Sequence, residues 1–135
     1  MLSDRARALL DLPSFAKLTT LAADGAPRMT VMWHRRAGDE LRMIAPASAV
    51  KARHLARDPR AAVIVDHPGN GYEYVELRGR AEVVHDDAAA RRELREIAAR
   101  YVGERAEAFV AGLSADPRVL LVLRPERVRE HFSAG

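Results

Sequence analysis

The amino-acid sequence predicts a mostly β protein, a closed or partly closed β-barrel with a few helices. Short strand-like segments recur along the chain, and most connections between them are too short for the crossovers that parallel strands require. Residues 72–84 show the clearest alternation of polar and apolar side chains, with the period of two typical of a half-buried strand. We therefore expect six to seven mainly antiparallel strands.

The first half of the chain divides into a helix, three strands joined by hairpin turns, a second helix and a fourth strand. Ser3 is expected to cap a helix that extends to about Leu10, because a serine at this position accepts a hydrogen bond from the first helical turn. Pro13 ends that helix. Strands are predicted over residues 15–22, 29–35, 40–45 and 61–66, turns over 23–26 and 37–39, and a basic helix over 48–57.

The second half contains the long strand and one convincing helix. Turn-forming residues fill positions 67–71, and Gly79 within the strand 72–84 predicts a bulge or a close approach of two backbones. Asp86 or Asp87 is expected to cap an amphipathic helix with apolar residues at Ala90, Leu94, Ile97, Ala98 and Tyr101. A short helix over 105–111 and two strands, 119–123 and 128–132, separated by Pro125, complete the chain.

Length and composition restrict the class of protein. The 135 residues are 48% hydrophobic, which fits one domain over residues 1–135 with a substantial core. The chain contains no run of about 18 apolar residues, so no membrane span is expected. The first residues are too polar for a secretory signal. The absence of cysteine excludes disulfides and fits a cytoplasmic protein. The five histidines lack metal-ligand spacing, so no metal site is expected.

Positive charge is concentrated in one segment. Residues 28–60 carry eight basic and three acidic side chains, a surplus of five, whereas the whole chain has a net charge of +3. Lys51, one of only two lysines, lies with Arg53 near the predicted helix start at Ser48. Helix starts offer free N–H groups to anions, so these three residues predict a phosphate site. The alternative is a solvated basic face. For Arg57 and Arg60, which flank Asp58, we expect either such a face or structural ion pairs.

Five segments, in this order and spacing, resemble one known family. They are FAKLTTLAADGAPR at 15–28, TVMW at 30–33, KARHLARDPR at 51–60, YVELRGRAE at 74–82 and DPRVLLVLRPERV at 116–128. They resemble the pyridoxamine-phosphate-oxidase-like split barrels, in particular the branch of small actinobacterial oxidoreductases that depend on the deazaflavin coenzyme F-420. Two positions depart from the pattern, because Ala49 stands where the family often has arginine and His54 where it often has asparagine.

The resemblance implies a homodimeric split barrel with two cofactor sites at the interface, each using both chains. Reduced coenzyme F-420 would transfer a hydride to an unsaturated small-molecule substrate. Lys51, Ser48 and Arg53 would hold the cofactor phosphate. The strand Thr30, Val31, Met32 and Trp33 would supply a flat apolar wall and backbone groups for the ring, and Arg78 would be a further cofactor contact. No catalytic residue is predicted, because solvent could protonate the product.

Several alternatives remain open at this point. FMN is the alternative cofactor, and Ala49 leaves open a non-catalytic protein that binds a flavin, haem or tetrapyrrole. Met32 and Trp33 could instead pack in the core or a dimer interface, and Arg78 could form a cross-strand ion pair. Tyr72 and Tyr74 could line a substrate pocket or donate a proton, or simply pack at the strand edge. A nucleic-acid module is not expected, because no aromatic residues interleave with the basic segment.

Overall fold

The computed structural model describes residues 1–133, which contain seven strands and four α-helices. The last two residues of the predicted 1–135 domain, Ala134 and Gly135, lie outside the described residues. The strands are β1 Ala16–Leu21, β2 Pro27–Met32, β3 Arg35–Ala37, β4 Glu40–Pro46, β5 Arg60–His67, β6 Asn70–Val84 and β7 Arg118–His131. The helices are α1 Asp4–Leu10, α2 Val50–Arg57, α3 Asp87–Val102 and α4 Ala106–Ala111. None of these helices is long and apolar enough to cross a membrane.

All seven strands belong to one antiparallel sheet in the order β2-β1-β5-β6-β7-β4-β3. β2 and β3 lie at opposite ends of this order, yet only Trp33 and His34 separate them in the chain. Three Cα-to-Cα steps span at most about 11 Å, so the sheet must roll until its two edges approach each other here. This confirms the predicted mostly β, partly closed barrel.

The two edges separate again beyond this junction. β3 pairs with β4 only from Arg35 opposite Arg42 to Ala37 opposite Glu40. Within the described residues, no strand pairs with this edge of β4 after Arg42 or with the outer edge of β2. We call the resulting gap between residues 30–33 and 43–46 the split. Its unpaired backbone groups are available to a ligand, because strand edges carry unused N–H and C=O groups.

The core lies on the inner face of the rolled sheet. Alternate residues of β1, β4, β5, β6 and β7 point inward, as the period of two requires. The largest fully buried apolar side chains on these strands are Leu18, Leu41, Met43, Leu77, Leu121 and Leu123. α3 packs against β4 and β7 and buries Ile97 and Ala98 outside this inner core, so the predicted amphipathic helix buries the expected face.

The predicted strand over 29–35 is wrong, because the chain leaves the sheet at Trp33 and His34. The backbone N–H of His34 donates to the hydroxyl of Tyr101 (3.2 Å), and its carbonyl accepts from the guanidinium of Arg100. These α3 groups replace strand partners and divide the segment into β2 and β3. Ala37, predicted within a turn, therefore ends β3.

The predicted pair of closing strands is also wrong, because β7 continues through Pro125. Pro125 lies opposite Gly79, where the register of β6 and β7 shifts, and an irregular position tolerates a residue without an N–H donor. A Cβ on Gly79 would lie 2.1 Å from the carbonyl oxygen of Arg124, which confirms the expected close backbone approach. The predicted loop over 67–71 is shorter than expected, since β6 begins at Asn70.

The helix starts agree with the sequence in two cases and differ in one. Ser3 caps α1 by accepting from the N–H of Ala6, and Asp86 caps α3 by accepting from the N–H of Ala89. α2 begins at Val50, not Ser48, and its N-cap residue has no hydroxyl or carboxylate to offer. Ser48 therefore lies outside the helix, and no side chain caps the start of α2.

Candidate functional site

A cavity of about 380 Å³ occupies the split. Val31, Met32 and Trp33 line one side of it, and residues 44–46 at the end of β4 line the other. The remaining lining residues come from α3, α4 and the region after them: Leu94, Ile97, Phe109, Leu113 and Arg118. Its volume falls within the usual range for small-molecule sites, roughly 300–1000 Å³. Three of the four residues predicted to lie beside a cofactor ring thus border the cavity.

Trp33 forms a fixed flat wall of this cavity. Its ring stacks on Tyr101 with centroids 4.8 Å apart and an interplanar angle of 3°, and Phe109 lies 5.1 Å away. The hydroxyl of Tyr101 donates to the carbonyl of Ser14 (2.6 Å), which anchors the stack to the chain before β1. Stacked rings with satisfied polar tips have little freedom to rotate. Trp33 therefore both packs in the structure and presents a rigid apolar surface.

Lys51 lies beside the inner face of β2. Its ammonium group contacts the thioether sulfur of Met32 at 3.1 Å, and no carboxylate oxygen of the described residues lies within 4.0 Å of it. Burial lowers the pKa of Lys51, and the nearby charge of Arg28 lowers it further. Two cations without a carboxylate between them favour an anionic ligand, because such a ligand would relieve both effects.

Thr30 supplies an unpartnered polar group on the same strand. Its hydroxyl oxygen is buried and has no hydrogen-bond partner among the described residues. Arg28, Thr30 and Met32 alternate along β2 and therefore share one face of the strand. A buried hydroxyl without a partner costs free energy, so a ligand atom that pairs with it would bind favourably.

Ser48 and Arg53 lie at the same end of α2 but are less directly involved. Both are exposed, and the guanidinium of Arg53 donates to the backbone carbonyl of Ser48 (3.2 Å). Since no side chain caps α2, its first N–H groups stay open to an anion. The helix start predicted at Ser48 thus lies two residues later, next to Lys51.

The sequence matches a known protein family over nearly its whole length. Residues 2–132 match the family model described as pyridoxamine 5'-phosphate oxidase. The chain belongs to the pyridoxamine 5'-phosphate oxidase family. No curated protein matches it by sequence.

Solved structures show the same fold across different proteins. An F-420 reductase is 27% identical, with a TM-score of 0.71 and coverage of 95% of this chain and 98% of that one. A conserved hypothetical protein from Mycobacterium tuberculosis is 24% identical, with a TM-score of 0.81 and coverage of 100% and 93%. General stress protein 26 from Bacillus anthracis is 16% identical, with a TM-score of 0.71 and coverage of 95% and 92%. The last two likenesses concern the fold alone.

Arg78 is the predicted site residue that lies elsewhere in this member of the oxidase family. It projects from the outer face of β6, three strands away from β2 in the sheet, a separation of about 14 Å. Its guanidinium pairs with the carboxylate of Glu76 on the same strand at 3.4 Å. Within one chain, Arg78 therefore borders a separate open groove of about 480 Å³ on the outer face. That groove is larger than the cavity in the split, but none of its lining residues has a buried unpartnered polar atom such as the Thr30 hydroxyl oxygen of the split.

The two tyrosines of β6 also lie away from the split. Tyr74 stacks on His131 with ring centroids 5.1 Å apart, and Tyr72 is 79% exposed. Arg60 pairs with Asp58 at 2.7 Å, as the ion-pair interpretation predicted. Among the residues that the structure describes, no group of three potential ligand side chains could hold a metal ion.

Sequence reasoning missed several residues around the cavity. Tyr101 appeared only as one apolar position of a helix, and Phe109, Leu113 and Arg118 were not considered. Periodicity identifies the buried face of a helix, but it does not identify which distant strand edge that helix will cover. Arg118 carried a weak signal, since it lies within the family-like segment 116–128.

Proposed function

We propose that this chain is an oxidoreductase that binds coenzyme F-420 in the split, as a single domain over residues 1–135. The observation that carries this proposal is the combination of a partly buried, unpaired Lys51 with the flat apolar wall of Trp33. A phosphorylated tricyclic cofactor needs both a cation and an apolar planar surface. The cofactor would supply the hydride chemistry, and the protein would bind and orient it.

The residues present fit such a group. Lys51 and the uncapped start of α2 would hold the phosphate, with Arg53 and Arg28 adding charge nearby. Thr30 would pair its hydroxyl with a polar atom of the cofactor, and Val31 to Trp33 would border the ring.

Two further observations support the proposed cofactor, the first a flavin-type group in general and the second F-420 over FMN. The family match and the 27% identical F-420 reductase favour an oxidoreductase with a flavin-type cofactor. The positive surplus of five over residues 28–60 suits the longer and more anionic tail of the deazaflavin coenzyme. FMN, with one phosphate and a short tail, needs less charge.

We also propose that two copies of the chain associate through the outer face of β2, β1 and β5. Met29 and Val31 on β2 expose 74% and 65% of their surface, and Ile64 on β5, beyond the intervening β1, exposes 37%. Exposed apolar side chains grouped in this way are typical of an interface. Arg78 points from the same face of the sheet, so it would reach a cofactor only from the partner protomer.

Titration of the purified protein with F-420 and with FMN, followed by fluorescence and absorbance, tests the cofactor. We expect F-420 to bind more tightly, and Lys51→Met to weaken its binding by about 1.5–3 kcal/mol, the value of a charge-assisted hydrogen bond. Arg57→Met, at the other end of α2, is the control and should leave affinity unchanged. Tighter binding of FMN would reverse the choice of cofactor, and an unaffected Lys51→Met would remove Lys51 from the site.

Catalysis is tested separately from binding. Oxidation of reduced F-420 in the presence of an unsaturated carbonyl compound should proceed faster with the protein than without it. Binding without such turnover across a panel of electron-poor substrates would favour a non-catalytic binding protein.

Light scattering tests the association of two copies. We expect a dimer, and we expect Ile64→Arg to convert it to a monomer, because a charge would be buried without a partner. Ala88→Arg, on the exposed side of α3, should leave the dimer intact. A monomeric wild-type protein would contradict the shared interface.

A further inference from the structure

The α4 side of the cavity has its own chemistry. Phe109 and Leu113 cover this end, and Ile44 lies across from them on β4. Of the described residues that line the cavity, Arg118 alone is charged. Lys51 does not line it, so the two cations serve different places in the split.

Arg118 is held in position through its backbone, and its guanidinium forms no ion pair within residues 1–133, although its charge helps to lower the pKa of Asp87. Its N–H donates to a carboxylate oxygen of Asp87 (2.8 Å), and Arg91 already pairs with that carboxylate at 3.0 Å. The guanidinium makes one long contact to the hydroxyl of Ser114 (3.4 Å). No carboxylate oxygen of residues 1–133 forms an ion pair with it. An arginine is a fixed fork that binds carboxylates with two hydrogen bonds.

We propose that this end of the split binds a second ligand, a flat apolar carboxylate of one or two rings. Its carboxylate would pair with Arg118, and its body would lie against Phe109 and Leu113, within reach of Trp33. A cavity of about 380 Å³ is near the lower limit of ordinary ligand sites, which favours a small molecule. That this ligand is the substrate rests on the proposed function, whereas its binding does not.

The binding experiment uses the full chain without cofactor and two fluorescent probes, 2-naphthoate and the neutral 2-naphthamide. We expect the carboxylate to bind at least about tenfold more tightly than the amide, as a charge-assisted pair predicts. Arg118→Met should abolish this preference while keeping amide binding, and Arg118→Lys should retain part of it. Arg92→Met, an exposed arginine of α3 without a hydrogen bond or ion pair among the described residues, is the matched control.

The apolar part of the site has its own variant. Phe109→Ala should weaken both probes by a similar factor, because it removes apolar contact and leaves the charge in place. Failure of both probes to bind, or a carboxylate preference that persists in Arg118→Met, would overturn the proposal.

Addition of F-420 separates the two proposals. If F-420 displaces 2-naphthoate, or if Arg118→Met loses F-420 binding, the cavity belongs to the cofactor and the proposal of a second ligand is wrong. If 2-naphthoate binds through Arg118 but no flavin-type cofactor binds the wild-type protein, the ligand site stands and the proposed function fails. Simultaneous binding of F-420 and 2-naphthoate is the result that supports both.

Discussion

The split contrasts with the other side of the barrel, where β5, β6 and β7 form paired ladders that contain register shifts after Asp66 and Arg78. We call these three paired strands the seam. In the seam, β6 pairs with β7 from Tyr74 to Val84. Arg124 there bonds to the carboxylates of both Glu40 (3.1 Å) and Glu82 (2.8 Å). In the split, by contrast, neither the strand edges nor the buried hydroxyl of Thr30 has a partner within residues 1–133.

This difference separates the part of the molecule that stabilises the fold from the part suited to a ligand. A paired ladder uses its backbone N–H and C=O groups within the sheet, so the groove beside the seam offers a ligand few free backbone groups. Unpartnered polar groups destabilise the free protein, and a bound ligand can recover that free energy. A substitution that overpacks the seam should therefore lower the stability of the protein, whereas one that removes an unpartnered polar group from the split should raise it.

Gly79→Ala should cause the largest loss, because it forces apart the two backbones of the seam. The new Cβ would lie 2.1 Å from the carbonyl oxygen of Arg124, and backbone atoms cannot rotate away as a side chain can. We expect the free energy of unfolding to fall by more than about 3 kcal/mol, beyond the usual range for overpacking. Urea denaturation of the wild-type protein and the variant measures this loss of unfolding free energy.

Gly71→Ala, on the same strand, is the control. Its Cβ would meet only a carboxylate oxygen of Asp66 at 3.6 Å, an ordinary contact, so the change should stay below about 1 kcal/mol. Equal effects of the two substitutions would show that the backbones of β6 and β7 do not approach unusually closely at Gly79.

Acid should destabilise the junction where the split closes. His34 is fully buried, neither ring nitrogen has a hydrogen-bond partner among the described residues, and burial together with the charge of Arg100 lowers its pKa from 6.5 to about 4. As the pH falls below 6.5, His34 becomes protonated in the unfolded chain, whereas in the folded protein it stays neutral until about pH 4. Stability should therefore fall by about 2–3 kcal/mol between pH 7 and pH 4.5.

This window lies above the range in which the carboxylates with lowered pKa values, such as Asp58 at about 2, lose their charge. Unfolding free energies at several pH values should show a slope that His34→Leu removes. His85→Gln, on an exposed residue, should keep the slope. A wild-type protein with constant stability over this window would contradict the assignment to His34.

Thr30→Val should give the smallest effect and the opposite sign. Valine has nearly the same shape as threonine but no hydroxyl to leave unpaired, so we expect stability to rise by up to about 1 kcal/mol. The control is Thr20→Val, because the Thr20 hydroxyl bonds to His54 Nδ1 at 3.0 Å. That substitution should lower stability by about 1 kcal/mol, and a loss of stability in Thr30→Val would contradict the ligand-facing role.

The sequence predicted much of the fold because strands and turns leave local patterns. The alternation in β6, the cap at Ser3 and the glycine at Gly79 are each read from a few neighbouring residues. The errors occurred where distant groups intervene. β2 ends at Met32 because α3 offers other hydrogen-bond partners to His34, and β7 continues through Pro125 because Gly79 lies opposite.

The candidate site divides in the same way. The concentration of charge around Lys51 and the strand Thr30 to Trp33 are visible in the sequence, since residue type and helix position are local properties. The thioether beside the ammonium group, the stack of Trp33 on Tyr101 and the separation of Arg78 from the split depend on how the sheet rolls. By itself the sequence determined which chemistry is present, and only the tertiary structure decided which groups meet, because side chains far apart in the chain are brought together by strand pairing and packing.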